Sequence, residues 1–189
     1  MTFTPEQAAE VAKYERCYAD PAYRMGEDRA RQCEALMRDP EPGATFLDVG
    51  CGRGETLALA ERLGYADWWG VEAVESLLGE RVVRGEAWRV PFPEDAFHTV
   101  ACFDVLEHLI RGDDAACVMD LCRVASARVL LTIGLYPATW GGGPDLHINL
   151  RTPEEWTECL AWWAQGWVVE RRADLDCKGI NAAWVLRRA

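Results

Sequence analysis

The chain has 189 residues, a length that fits one domain, and half of them are hydrophobic, enough to bury a core. It carries 31 acidic against 20 basic side chains, a formal net charge of -11, which argues against extensive contact with nucleic-acid phosphates. No apolar run reaches the ~20 residues of a membrane-spanning helix, so no membrane partner is expected. The start, Met1-Thr2-Phe3-Thr4-Pro5-Glu6, lacks a basic region followed by an apolar stretch, and the chain reads as cytoplasmic.

From the amino terminus, Thr4-Pro5-Glu6 supplies a capping hydroxyl and a proline at the first helical position. A helix follows, broken at Asp20-Pro21, and a second is predicted over Ala22 to Met37. Asp39-Pro40-Glu41-Pro42-Gly43 is a stop and turn. Residues 1–42 thus read as a helical amino-terminal lid, and 43–189 as the core of the same single domain.

From there strands alternate with helices. Strands are predicted at Thr45–Val49, Trp68–Glu72, Arg81–Gly85, Thr99–Val105 and Arg128–Ile133, with two last ones at Val168–Leu175 and Asn181–Leu186. Helices are predicted at Glu55–Leu63, Asp113–Val124 and Pro153–Trp163, the last with Thr152 as cap and Glu155 completing a capping box. The Trp162-Trp163 pair at its end reads as core. The alternation implies an α/β fold, a doubly wound, mostly parallel sheet with helices on both faces.

The eight cysteines form no Cys-x-x-Cys pair, and the three histidines do not complete a zinc-like spacing. No metal is expected. The thiols read as reduced and structural, packing as small hydrophobes. Two basic groups, Arg81/Arg84/Arg89 and Arg171/Arg172/Arg187/Arg188, read as solvated strand ends.

The informative stretch is Asp48-Val49-Gly50-Cys51-Gly52-Arg53-Gly54, which leaves a strand and opens a helix. Glycines there let the backbone turn sharply and approach a ligand closely. The carboxyl ends of parallel strands are where doubly wound folds bind ligands. The spacing is Gly-x-Gly-x-Gly, not the Gly-x-Gly-x-x-Gly of a dinucleotide fingerprint.

This stretch resembles the first motif of the class I S-adenosylmethionine (SAM)-dependent methyltransferases, and the resemblance continues in register. Glu72 ends the second strand where that family places an acid that binds both ribose hydroxyls, a task suited to a carboxylate. Gly85-Glu86-Ala87 and Val90-Pro91-Phe92-Pro93 are similar to its adenine-binding stretch, with Glu86 accepting from the adenine amino group and the Ala87 amide donating to the ring. Phe103-Asp104-Val105-Leu106-Glu107-His108 resembles the fourth-strand motif of the small-molecule branch. The motifs span residues 45 to about 135. Two positions depart from the pattern: Glu86 replaces the more usual Asp, and position 88 carries a bulky Trp.

The resemblance implies a seven-stranded, three-layer fold, SAM as cofactor and S-adenosylhomocysteine (SAH) as product. The cofactor site it implies comprises Asp48, Gly50, Cys51, Gly52, Gly54, Glu72, Ala73, Glu86, Ala87, Trp88 and Phe103. Trp88 is read either as stacking on adenine or as plain packing. Arg24, just past the Pro21 break with Tyr18, Tyr23 and Met25, is a guanidinium suited to the SAM carboxylate.

Methyl transfer from a sulfonium needs alignment, and a base where the nucleophile holds a proton. His108 is one candidate, since an imidazole titrates near neutrality; the pair Glu107-His108 also starts a helix in relatives without direct chemistry. The other is His147 in Asp145-Leu146-His147-Ile148-Asn149-Leu150-Arg151, which resembles a His-Ile-Asn segment of methyltransferases that act on sugars and related small molecules. In an extended segment His147, Asn149 and Arg151 would share one face; alternatively, His147 and Asn149 hold the loop.

The expected function is transfer of a methyl group to a small-molecule, sugar or nucleotide-like acceptor, by a monomer or homodimer. Two other readings stay open: a SAM-using enzyme of another reaction class on the same fold, and a non-catalytic binding subunit.

Overall fold

A computed structural model describes residues 3–177 and 180–189. Met1 and Thr2, counted with the amino-terminal segment above, lie outside the described residues.

Two helices lead. Helix α1 (Pro5–Tyr18) starts at Thr4, whose side chain accepts from the Gln7 amide while the Gln7 side chain returns to the Thr4 amide. Helix α2 (Glu27–Met37) begins later than the predicted Ala22. The cause is local. The Asp20 carboxylate accepts from the Ala22 amide and the Asp20 carbonyl from the Tyr23 amide, which ties residues 20–23 into a turn.

Strand β1 (Thr45–Val49) leads through the glycine loop into α3 (Glu55–Leu63), and β2 (Asp67–Glu72), β3 (Val82–Arg84) and β4 (Phe97–Phe103) follow. Helix α4 (Asp113–Val124), β5 (Ala125–Gly134), α5 (Pro153–Trp163), β6 (Trp167–Arg171) and β7 (Asn181–Arg188) complete the order. The seven strands form one sheet in the order β3-β2-β1-β4-β5-β7-β6. Pairs from β3 through β5 are parallel, and β7 runs antiparallel between β5 and β6.

Among the departures from expectation are two strand ends and one core assignment. Strand β4 stops at Phe103, because Asp104 turns out at φ 57. The stretch predicted as strand through Leu175 ends at Arg171, and Ala173–Leu175 is a single 3₁₀ turn. Trp162 is 77% exposed, not core, whereas Trp163 packs edge-on to the buried Trp156 at 6.4 Å between ring centroids. Successive residues on a helix point about 100° apart, so both rings cannot face the sheet.

Each face of the sheet has its own apolar layer. Helices α4 and α5 close one side over Leu121, Leu131, Trp156 and Leu160, and α2 and α3 close the other over Leu36, Met37, Phe46 and Leu59. All eight cysteines are free thiols; Cys159 and Cys177 are half-buried and the rest buried. Several of the basic side chains at strand ends meet acids: Arg81 with Asp67, Arg171 with Asp176, Arg172 with Asp174 and Arg188 with Asp95. No helix among the described residues is long and apolar enough to cross a membrane.

The chain runs outward from β1 to β2 and β3, then returns to place β4 on the other side of β1. That reversal opens a crevice at the carboxyl ends of β1 and β4.

Candidate active site

The crevice is floored by the loop after β1. Gly50 and Cys51 amides both donate to the Val71 carbonyl, at 2.8 and 3.2 Å, which stitches the loop to β2. Gly50 and Gly52 have φ of 78° and 54°. A Cβ on Gly50 would stand 2.5 Å from Val105 Cγ2, and one on Gly52 would stand 2.5 Å from the Tyr18 hydroxyl. Both the backbone angle and the space therefore require glycine.

Glu72 ends β2, nearly buried, with its carboxylate gathered into the same loop. One oxygen accepts from the Gly52 amide at 2.9 Å, the other from Ala73 and Val74 at 2.8 and 3.0 Å. Burial raises its pKa, and these three N–H donors pull the other way. A carboxylate has about four acceptor sites, so the oxygen facing Gly52 retains capacity for a ligand hydroxyl. Asp48 lies deeper. Thr56 donates to one of its oxygens, while Oδ1 is buried without a partner. Burial is the main cause that raises Asp48 to about 7.

Two cavities share this floor and meet at Gly50, Asp104 and His108. The smaller, about 140 Å³, runs between α1 and the ends of β2 and β3, lined by Glu72, Ala73, Glu86, Ala87 and Trp88. Trp88 also packs edge-on to Phe3. The larger, about 550 Å³, lies beyond the loop, lined by Arg24, Cys51, Phe103, Tyr136, Trp140 and His147. Gly54 opens α3 at φ 79°. The residues expected to hold a cofactor thus divide between two connected spaces: one small and largely apolar, the other roomier.

The amino-terminal segment roofs both. Arg53 donates to the Tyr18 and Asp20 carbonyls at 2.7 and 3.1 Å, binding the glycine loop to the turn between α1 and α2. Tyr23 packs edge-on to Trp140 at 5.1 Å. Arg24 is exposed on the rim. Arg29, which the sequence reading passed over, is the guanidinium turned inward: it pairs with Asp104 and donates to the Thr132 hydroxyl at 2.9 Å. No local sequence signal marks Arg29, because its partners lie on β5 and past β4.

His108 and His147 come together at the junction, their ring centroids 4.8 Å apart. His108 Nδ1 meets the Leu146 carbonyl at 3.1 Å, and His147 Nδ1 meets the Tyr136 carbonyl. Burial pushes both rings below the usual imidazole pKa, so they stand neutral at pH 7. Glu107 sits beneath them, fully buried. Its Oε1 accepts from the Gly134 amide at 2.6 Å, and burial, reinforced by Asp104, raises it to about 7. The signal for Glu107 and Asp104 was their place just past a strand's carboxyl end, where ligand-facing side chains collect in such sheets.

The predicted shared face of His147, Asn149 and Arg151 does not form. Asn149 is buried and donates to the Leu106 carbonyl and to Asp114 Oδ2 at 3.2 and 2.8 Å. Arg151 pairs with the same Asp114 at 2.8 Å and lies over the Trp156 ring. These two fasten the loop from below, and His147 alone of the three reaches the cavity.

Residues 47–132 match a family model described as a methyltransferase domain. That stretch is similar to a methyltransferase domain, and the seven-stranded sheet as a whole has the class I methyltransferase fold. Solved structures share its fold at low identity. A TehB-like SAM-dependent methyltransferase from Corynebacterium glutamicum has TM-score 0.64 at 19% identity, with 98% of this chain and 100% of that one covered. A Burkholderia thailandensis 1,6-didemethyltoxoflavin-N1-methyltransferase, solved with 1,6-didemethyltoxoflavin and S-adenosylhomocysteine, has TM-score 0.67 at 18%, covering 100% and 92%. A chain from the complex of the Haloferax volcanii Trm112 methyltransferase activator with its methyltransferase has TM-score 0.69 at 16%, covering 96% and 95%. No curated protein matches the chain. The family match runs from β1 through most of β5, the strands that build the crevice.

Proposed function

We propose that the protein is an enzyme that transfers a methyl group from SAM to a small-molecule acceptor, of sugar or nucleotide-like size. The carrying observation is the pair of connected cavities that meet beside the glycine loop. One has the largely apolar lining with two acids, Glu72 and Glu86, that suits a nucleoside, and the other has room for a second reactant.

SAM is the cofactor, and the residues present fit it. The spare acceptor capacity of Glu72 suits ribose hydroxyls. Glu86 and the Ala87 amide suit the adenine edge, with Trp88 beside the base. Arg24 on the rim suits the amino-acid carboxylate. When bound, SAM supplies a methyl group already activated on a sulfonium. The chain's own part is to align the acceptor and exclude water. Tyr18 packs edge-on to Tyr23 and Tyr23 to Trp140 along the crevice, which supports reading residues 1–42 as a lid. Neutral His108 and His147 face the junction, able to take an acceptor proton there.

Product analysis tests the reading. Incubation with SAM and a panel of hydroxyl- and amine-bearing small molecules should yield SAH in step with a methylated acceptor. Methylthioadenosine instead of SAH would assign another reaction class on the same fold, and a folded protein that binds no SAM would assign a non-catalytic subunit.

A further inference from the structure

We propose that Glu107, His108 and His147 form a site for a divalent first-row transition cation at the junction of the two cavities. The three side chains each offer one ligand atom, and these atoms lie within 4.8 Å of one another. Donors around one such ion stand roughly 3–4 Å apart at bond lengths of about 2.1 Å. Small side-chain rotations close the set.

Hydrogen bonding has already chosen the ligand atoms. A carbonyl oxygen only accepts, so His108 Nδ1 facing the Leu146 carbonyl and His147 Nδ1 facing the Tyr136 carbonyl both carry the proton. In the neutral rings the lone pair then sits on Nε2, and His108 also has the Asp104 carbonyl as a hydrogen-bond partner. This is the arrangement of metal-binding histidines, whose second nitrogen is held by a backbone or carboxylate acceptor. Glu107 is held likewise through Oε1 by the Gly134 amide, and its Oε2 is fully buried with no hydrogen-bond partner. An unpartnered buried carboxylate oxygen is costly, and a cation would satisfy it. Gly134 keeps the space open: a Cβ there would stand 2.6 Å from the His147 ring and 2.7 Å from Glu107 Oε1.

Two imidazoles and one carboxylate suit Mn²⁺, Fe²⁺ or Zn²⁺ and leave positions open for further ligands. Glu107, His108 and His147 line the larger cavity with Tyr136 and Trp140, so a hydroxyl oxygen of an acceptor held there would supply a further ligand. In that arrangement the rings hold the cation instead of acting as bases. Asp104 adds charge nearby, but its Oδ1 is engaged by Arg29, Thr132 and Asn181. The cation's part in methyl transfer, though not the site itself, rests on the methyltransferase reading.

Titration of metal-free protein with Mn²⁺ alone, followed by the paramagnetic resonance signal of the free ion, tests the site. Mn²⁺ avoids the thiols that would capture softer ions. One equivalent should bind, with affinity falling roughly tenfold or more in Glu107→Gln and in His147→Gln. Glu107→Gln keeps a carbonyl to accept from Gly134, so the fold is preserved. His98→Gln, altering the histidine that faces Glu41 away from the crevice, should bind as wild type. No binding at millimolar Mn²⁺, or equal binding in both variants, overturns the site. SAM binding without Mn²⁺ binding overturns the cation site alone; Mn²⁺ binding without SAM binding leaves it standing and removes methyl transfer.

Discussion

The glycine-loop half of the crevice is held by backbone, whereas the half under Tyr136 and Trp140 is held by side chains that cross from distant segments. In the first, loop amides of Gly50, Cys51 and Gly52 meet the Val71 carbonyl and the Glu72 carboxylate on the neighbouring strand β2. In the second, His108 leans on Leu146, His147 on Tyr136, and Asn149 on Leu106 and Asp114. Backbone ladders tolerate little change and suit a constant ligand. Side-chain supports can be re-cut while the sheet stays fixed, and they suit a ligand that differs from protein to protein.

If the halves are separable, the largest effect comes from the second. His147→Ala should lower turnover by about 100-fold and leave SAM affinity unchanged by calorimetry. Collapse of SAM binding instead would move His147 to the cofactor half. The converse variant is Glu72→Ala, expected to weaken SAM binding by about 1–3 kcal/mol and to lower the melting temperature, because three amides lose their acceptor. Unchanged affinity in a folded variant would remove the ribose assignment. Next comes Gly52→Ala, costing about 1–2 kcal/mol of backbone strain at positive φ and pressing on Tyr18. Truncating Tyr18 to Ala in the same chain should recover the steric part of the loss; strict additivity in a double-mutant cycle would mean that the lid does not rest on the loop.

A separate effect is one of pH on stability. Asp48 is held up at about 7 by burial, well above its ordinary value of 3.8. Between those values the folded state binds a proton that the unfolded state has released. Its contribution is therefore complete below about 4 and is lost as pH rises to about 7. Glu107 acts in the same direction; the lowered His108 and His147 oppose it, since they favour folding as pH rises toward 6.5. The clean readout is a difference: Asp48→Asn should gain stability relative to wild type as pH rises from 4 to 7 in denaturant titrations. A constant difference would place Asp48 in ordinary ionisation.

The same contrast explains what was legible in the sequence. The start of helix α5 was readable, because Thr152, Pro153 and Glu155 signal it within four residues. The glycine loop and Glu72 were readable because their partners lie in the next strand. Helix α2 was placed too early because an Asp20 turn outcompeted helix propensity at Ala22. Of the two readings of the His147 segment, the shared face fails because the loop is not a regular extended strand; Asn149 and Arg151 turn inward to Asp114, and Asn149 holds the loop. The meeting of Glu107, His108 and His147 could not be read from spacing, since the loop from Tyr136 to Arg151 must fold back across β4 to create it.

The central claim is that the backbone-held half binds SAM. Calorimetric titration of the purified protein with SAM and, separately, SAH tests it most directly. The account predicts one site for each, at micromolar affinity or better, with both weakened together by Glu72→Ala. A folded protein that binds neither ligand would contradict it, and the glycine loop would then serve another ligand or none.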